Sequence, residues 1–151
     1  MLFNPVTDDF NALDARSREI MRKTIEFFET KGKVRLKQDD HQHRWYGDFL
    51  DFVTKNRIFS TLLTPPEHAI DDPNAAWDTN RNCALNEILG FYGLSYWYAW
   101  QVTILGLGPL WMADGQAIKE RTARYLREGG IFGFGLSEKA HGADLYSSEM
   151  M

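Results

Sequence analysis

A chain of 151 residues has room for one ordinary domain with a sizeable core. Hydrophobic residues make up 44% and charged residues 25%, which excludes an intrinsically disordered polymer. The net charge of −4 is spread along the chain without a clustered basic face, so no nucleic-acid partner is expected.

Aromatic residues reach 14%, with five Trp, so large flat side chains either supply much of the core or line a cavity. The single Cys83 cannot close an internal disulfide, which favours a reducing compartment and predicts a cytoplasmic location. Met1-Leu2-Phe3-Asn4-Pro5 runs into Asp8-Asp9 without a charged and then apolar leader, so no secretion signal is expected. No repeat or low-complexity tract is present.

The first element reads as a helix. Phe10, Leu13, Ser17, Ile20, Met21, Thr24, Phe27 and Phe28 recur at three- and four-residue intervals, with Asp8 and Asp9 at the start and Lys31-Gly32-Lys33 at the end. A second helix is predicted from about Leu36 to Asn56. Its buried side would carry Trp45, Phe49, Phe52 and Val53, its exposed side Asp39, Asp40, Arg44, Asp48, Asp51 and Lys55. Thr64-Pro65-Pro66 cannot continue a helix, and the Pro-, Asp- and Asn-rich stretch to Asp78 reads as a surface loop with one short turn. A third helix starts near Thr79 with Leu85, Ile88 and Leu89 on its apolar face, and Gly90 and Gly93 interrupt the chain beyond them. A last amphipathic segment, Asp114 to Glu128, turns Ile118, Thr122, Tyr125 and Leu126 inward and stops at Gly129-Gly130. The apolar run Ile131-Phe132-Gly133-Phe134-Gly135-Leu136 then reads as a strand, succeeded by a small polar loop.

From Ile88 to Ala113 there is no charged side chain, a run long enough to cross a bilayer, for which about 20 apolar residues suffice. Gly90, Gly93, Gly106, Gly108 and Pro109 break it into pieces too short to span. Tyr92, Tyr96, Trp97, Tyr98 and Trp100 cluster in its middle instead of at two membrane edges. A pair of buried helices in a soluble bundle is therefore the expectation. Within it, Gly90-Phe91-Tyr92-Gly93 and the Tyr/Trp cluster either shape an apolar slot or simply fill the core.

Most chemical motifs fail on spacing. His41 and His43 lie about 200° apart round a helix and cannot share an ion. Asp40 and His43 have the one-turn spacing of di-iron bundles, but a second such pair is missing, so a solvated face is the better reading. Gly133-Phe134-Gly135 and Gly106-Leu107-Gly108 lack a third glycine, with Glu138 and Trp111 where the dinucleotide fingerprint needs one. Ser95 lies in no nucleophile elbow, and Cys83 has no histidine near it in sequence.

The segment Phe134 to Asp144 remains. A strand delivering Leu136 and Ser137 to its end offers backbone groups and a hydroxyl to the edge of a planar heterocycle, and Gly142-Ala143 leaves room for a ligand to approach. Its pattern, Phe-x-Leu-Ser-Glu-x-x-x-Gly-Ala-Asp, resembles the loop of acyl-CoA dehydrogenases that meets the flavin. Phe134, Leu136, Ser137, Glu138, Gly142 and Asp144 match that pattern. Lys139 stands where the family usually has Pro, and Ala143 where a Ser usually helps hold the acyl-CoA. The stretch from Asn86 to Trp97, the Gly106-Leu-Gly-Pro region and Gln116 to Gly130 are similar to the family's last helices before its β-domain.

The resemblance implies a mainly α fold, an N-terminal helical bundle of the acyl-CoA dehydrogenase type ending with the first strand of a β-barrel domain. It divides the chain into an N-terminal helical extension (1–35), the helical domain (36–130) and the start of the middle β-domain (131–151), as a piece of a longer enzyme. It further implies FAD as cofactor, with Phe134, Leu136, Ser137, Gly142 and Ala143 as flavin contacts and the backbone of Ala143 against substrate. The partners implied are an acyl-CoA and an electron-transfer acceptor, with a homo-oligomeric full-length protein and no membrane span. The reaction is α,β-dehydrogenation of the thioester. The family's carboxylate base belongs to a C-terminal domain outside this chain, so no catalytic residue is assigned within it, and Glu138 is not a candidate. The isolated chain is expected to be inactive. Two alternatives stay open: a flavin monooxygenase of the same superfamily, and a non-catalytic helical module that binds a partner.

Overall fold

A computed structural model describes residues 4–142 and 144–149. Among these, the chain forms seven α-helices and three short 3-10 turns, without a strand. The helices are α1 (Ala15–Lys31), α2 (Lys33–His41), α3 (Gly47–Lys55), α4 (Ile58–Leu63), α5 (Thr79–Tyr92), α6 (Leu94–Met112) and α7 (Gln116–Arg127). The mainly helical architecture is the one the periodicity predicted.

α1 starts later than its apolar stripe. The Asp14 carboxylate accepts the Ser17 amide at 2.9 Å, a side-chain cap that fixes the first turn. Phe10 and Leu13 therefore precede the helix, yet both are buried. α1 ends where the Gly32 amide donates to the Phe28 carbonyl, and α2 departs from the same glycine. The single long helix expected over 36–56 is in fact two. The chain leaves α2 at Gln42, passes a positive-φ His43 and re-enters helix at Gly47. This break shifts the register of the faces: Trp45 falls in the connection and is 63% exposed, not buried, while Phe49 and Val53 face the core as predicted.

Arg57, at φ 53°, makes the tight turn into α4, all of whose apolar side chains are buried. The loop over 65–78 is ordered from below. Arg81, itself buried, donates to the carbonyls of Asn74 (2.9 Å) and Thr61 (3.2 Å) and so satisfies two main-chain acceptors at once. Asp78 caps α5 by accepting the Arg81 amide.

α5 and α6 pack most closely on one another, α1 packs on α5, and α4 and α6 receive α7. One apolar core runs through them, from Ile20, Met21 and Phe28 of α1 to Leu85, Ile88 and Leu89 of α5 and Trp100 and Leu107 of α6. The uncharged run is thus the end of α5, a turn at Gly93, and all of α6. Gly106, Gly108 and Pro109 do not break α6, contrary to expectation, because burial of its inner face outweighs their poor propensity. No helix among the described residues is long and apolar enough to cross a membrane. In α7 the inward residues are Thr122, Ala123 and Leu126, whereas Ile118 and Tyr125 are about half exposed.

Candidate functional site

The segment singled out by sequence begins at a tight turn. Gly129, at φ +92°, donates to the Leu126 carbonyl (3.1 Å), and the Gly130 amide donates to the Tyr125 carbonyl (2.9 Å). A left-handed residue here suits glycine. The chain then crosses α6. Phe132 lies edge-on to Tyr125, with ring centroids 5.7 Å apart. Gly106 admits this crossing: a Cβ there would stand 2.7 Å from the Gly133 carbonyl oxygen and 2.9 Å from the Phe132 Cβ.

Past Gly133 the run expected as a strand takes no regular secondary structure. A strand is defined by the ladder to a neighbour, and among the described residues no strand is present to form one. The main-chain groups from Gly133 to Ser137 consequently make no hydrogen bond within the described chain.

Of the residues assigned to flavin contact, Phe134 is 49% exposed, Ser137 and Gly142 are exposed or nearly so, and Leu136 is half-buried. Ala143, assigned to both flavin and substrate, lies outside the described residues. The loop closes on Glu138. Its amide donates to the His141 carbonyl at 3.0 Å, and its carboxylate accepts the Ser148 hydroxyl (2.8 Å) and the Glu149 amide (3.1 Å). A carboxylate committed to holding two donors is a loop clasp.

A second feature is only partly legible in the sequence. Asp39, placed by helical spacing on a solvated face, is buried. Lys31 reaches it at 3.0 Å and also meets Asp48 at 2.6 Å, while Arg35 (3.1 Å) and Arg44 (3.5 Å) approach Asp39 from outside. The fold-back at Gly32 brings Lys31 over α2, which a straight helical wheel does not show. The Lys31 hydrogen bond, with the charges of Lys31, Arg35 and Arg44 behind it, holds the Asp39 carboxyl below its usual range. Burial acts to lower Lys31, but hydrogen bonds to Asp48, Tyr96 and Asp39 outweigh it and leave the ammonium above its usual value. The Lys31 ammonium also sits 5.4 Å from the centre of the Tyr96 ring.

Beside this cluster lies an open groove of about 740 Å3, between α2 with the 42–46 connection on one side and the α5–α6 turn on the other. Phe91, Tyr92 and Tyr96 of the predicted aromatic cluster line it, whereas Trp100 fills the core. Both readings of the aromatics therefore hold, for different residues. None of the residues from 134 to 142 lines the groove. Among the described residues no group of three or more His, Cys, Asp or Glu side chains could hold a metal ion.

The chain matches no protein-family model, no curated protein and no solved structure at a significant level.

Proposed function

We propose that this chain is the helical flank of an FAD-dependent enzyme that desaturates acyl-CoA thioesters, with the segment from Phe134 to Asp144 turned toward the edge of the flavin ring. The observation that supports the reading is the combination of that sequence pattern with main-chain groups from Gly133 to Ser137 that have no hydrogen-bond partner in the described chain. Buried under a ligand, such groups need new partners, and the polar edge of a planar heterocycle supplies them. On this reading the donor set would serve one edge and one face of the ring. The Ser137 hydroxyl and neighbouring amides would donate to it, Phe134 and Leu136 would cover it, and Gly142 and Ala143 would leave it room.

When bound, the flavin supplies the redox chemistry by accepting a hydride. The residues of this chain bind and orient. Phe132 and Gly106 set the level of the segment on α6, and the Glu138 clasp fixes the loop beyond it. Glu138, which accepts from the Ser148 hydroxyl and the Glu149 amide, is assigned here to holding the loop and not to removing the substrate proton. On this reading no residue of the described helical domain is assigned as that base, and the isolated chain is expected to oxidise no butyryl- or palmitoyl-CoA in the presence of an electron acceptor.

The test is to purify the polypeptide its gene expresses and record its visible spectrum with and without added FAD. Flavin bands that bleach anaerobically on addition of an acyl-CoA are expected, with weaker flavin retention after Ser137→Ala. A colourless protein that takes up no FAD overturns the reading. Bleaching by a reductant alone, with oxygen consumption and no response to acyl-CoA, replaces it with the monooxygenase.

A further inference from the structure

The groove beside Lys31 and Asp39 carries charge and flat apolar surface in separate places. Lys33 and Lys37 stand one turn apart on α2, both exposed and both lining it. Like charges at this spacing repel. Neither has an ion pair among the described residues, whereas the nearby Lys31, Arg35 and Arg44 all engage Asp39. The Asp39 charge is thus offset by three cations, one of which, Arg44, also lines the groove, and exposed Asp40 is the other carboxylate there. On the opposite wall, α6 begins at Gly93 without a side-chain cap, which leaves the first amides of a 19-residue helix at the groove. The flat surface is at the rim. Trp45, 63% exposed, stacks on Tyr46 with centroids 4.3 Å apart, and Phe91 stands edge-on to Tyr92 and is about half exposed.

We propose that this groove binds a small planar-ringed anion of the nucleoside phosphate class. The ring lies on the exposed face of Trp45, and the phosphate sits between Lys33, Lys37 and the start of α6. Charge complementarity selects the anion. The openness of the groove selects a ring over an alkyl chain: a ring gains stacking energy from one covered face, while a chain in an open trough stays largely wet. The inference goes beyond the flavin reading. Ser95, which lines the groove, and Gly106, which supports the 132–133 crossing, are separated by roughly 16 Å along α6 at the helical rise per residue.

Isothermal titration of the 151-residue chain with adenosine 5′-monophosphate, adenosine, inorganic phosphate and decanoate tests this. Saturable binding of the monophosphate is expected, at least about tenfold tighter than adenosine or phosphate alone, the gain expected from joining stacking to charge-assisted contacts. The double substitution Lys33→Gln/Lys37→Gln should weaken the monophosphate by about tenfold or more and leave adenosine unchanged. Trp45→Ala should weaken both. All three positions are exposed, so unchanged circular dichroism and melting temperature are expected for each variant. A monophosphate that binds no tighter than phosphate, an affinity indifferent to the lysines, or saturation by decanoate alone would each overturn the proposal.

Discussion

Among the described residues, the stretch before α1 and the stretch after α7 both lack regular structure beyond a single 3-10 turn each, yet Phe10 is 7% exposed and Phe134 is 49% exposed. The difference lies in what their polar and apolar groups find. Before α1, the Asp8 carboxylate accepts the Phe10 amide (2.8 Å), the Leu13 amide reaches the Phe10 carbonyl (2.9 Å), and Asp14 caps the helix. Phe10 and Leu13 then enter the core. After α7, Phe132 is anchored and Glu138 clasps its loop, but the main chain between them has neither internal partners nor a deeply buried side chain. Irregular backbone is held when short acidic side chains satisfy it locally and apolar ones reach the core. Only the first stretch meets both conditions.

Four substitutions put this contrast at risk. Phe10→Ala should have the largest effect, about 3 kcal/mol lost in chemical denaturation, the usual order for emptying a buried phenyl site. A loss below about 1 kcal/mol would mean that the first stretch is no better anchored than the last. Gly106→Ala comes next, at about 1–3 kcal/mol from overpacking, since its methyl would collide with the Gly133 carbonyl. Proteolysis within 131–138 should accelerate in that variant, and an unchanged cleavage rate would show that α6 does not hold the segment.

Asp39→Asn should act through pH. A carboxyl held below its unfolded value of 3.8 contributes stability above that pH and loses it as pH falls through the folded value. The gap in melting temperature between wild type and variant should therefore be full at neutral pH and close in strong acid. A gap independent of pH would remove the ion cluster as its cause. Phe134→Ala should be smallest, within about 0.5 kcal/mol in the chain alone. A larger loss would mean that the ring already packs against the protein.

Sequence reading succeeds where one apolar stripe meets a strong end signal. The stop at Gly32, the loop opened by Pro65-Pro66, the start of α5 near Thr79 and the glycines after α7 are all legible. It fails where tertiary contacts decide. Nothing between Gln42 and Tyr46 announces a break, since His43 adopts positive φ without being glycine. Conversely, Gly106, Gly108 and Pro109 announce a break that burial of Leu107 and Thr103 cancels. At the candidate site the pattern from Phe134 to Asp144 can be read, but its support cannot. The collision-free crossing at Gly106 joins residues distant in sequence, and the groove exists only because α2 folds back at Gly32. Lys33 and Lys37 give a faint signal as paired cations on a helix carrying little else apolar than Val34 and Leu36.

Pro109 has a consequence for the life of α6. Without an amide hydrogen it withdraws the donor that would ordinarily meet the Leu105 carbonyl four residues before it. Deuterium uptake should accordingly divide the helix in two, with slow exchange around Trp100 and Thr103 and rapid exchange in the final turn near Met112.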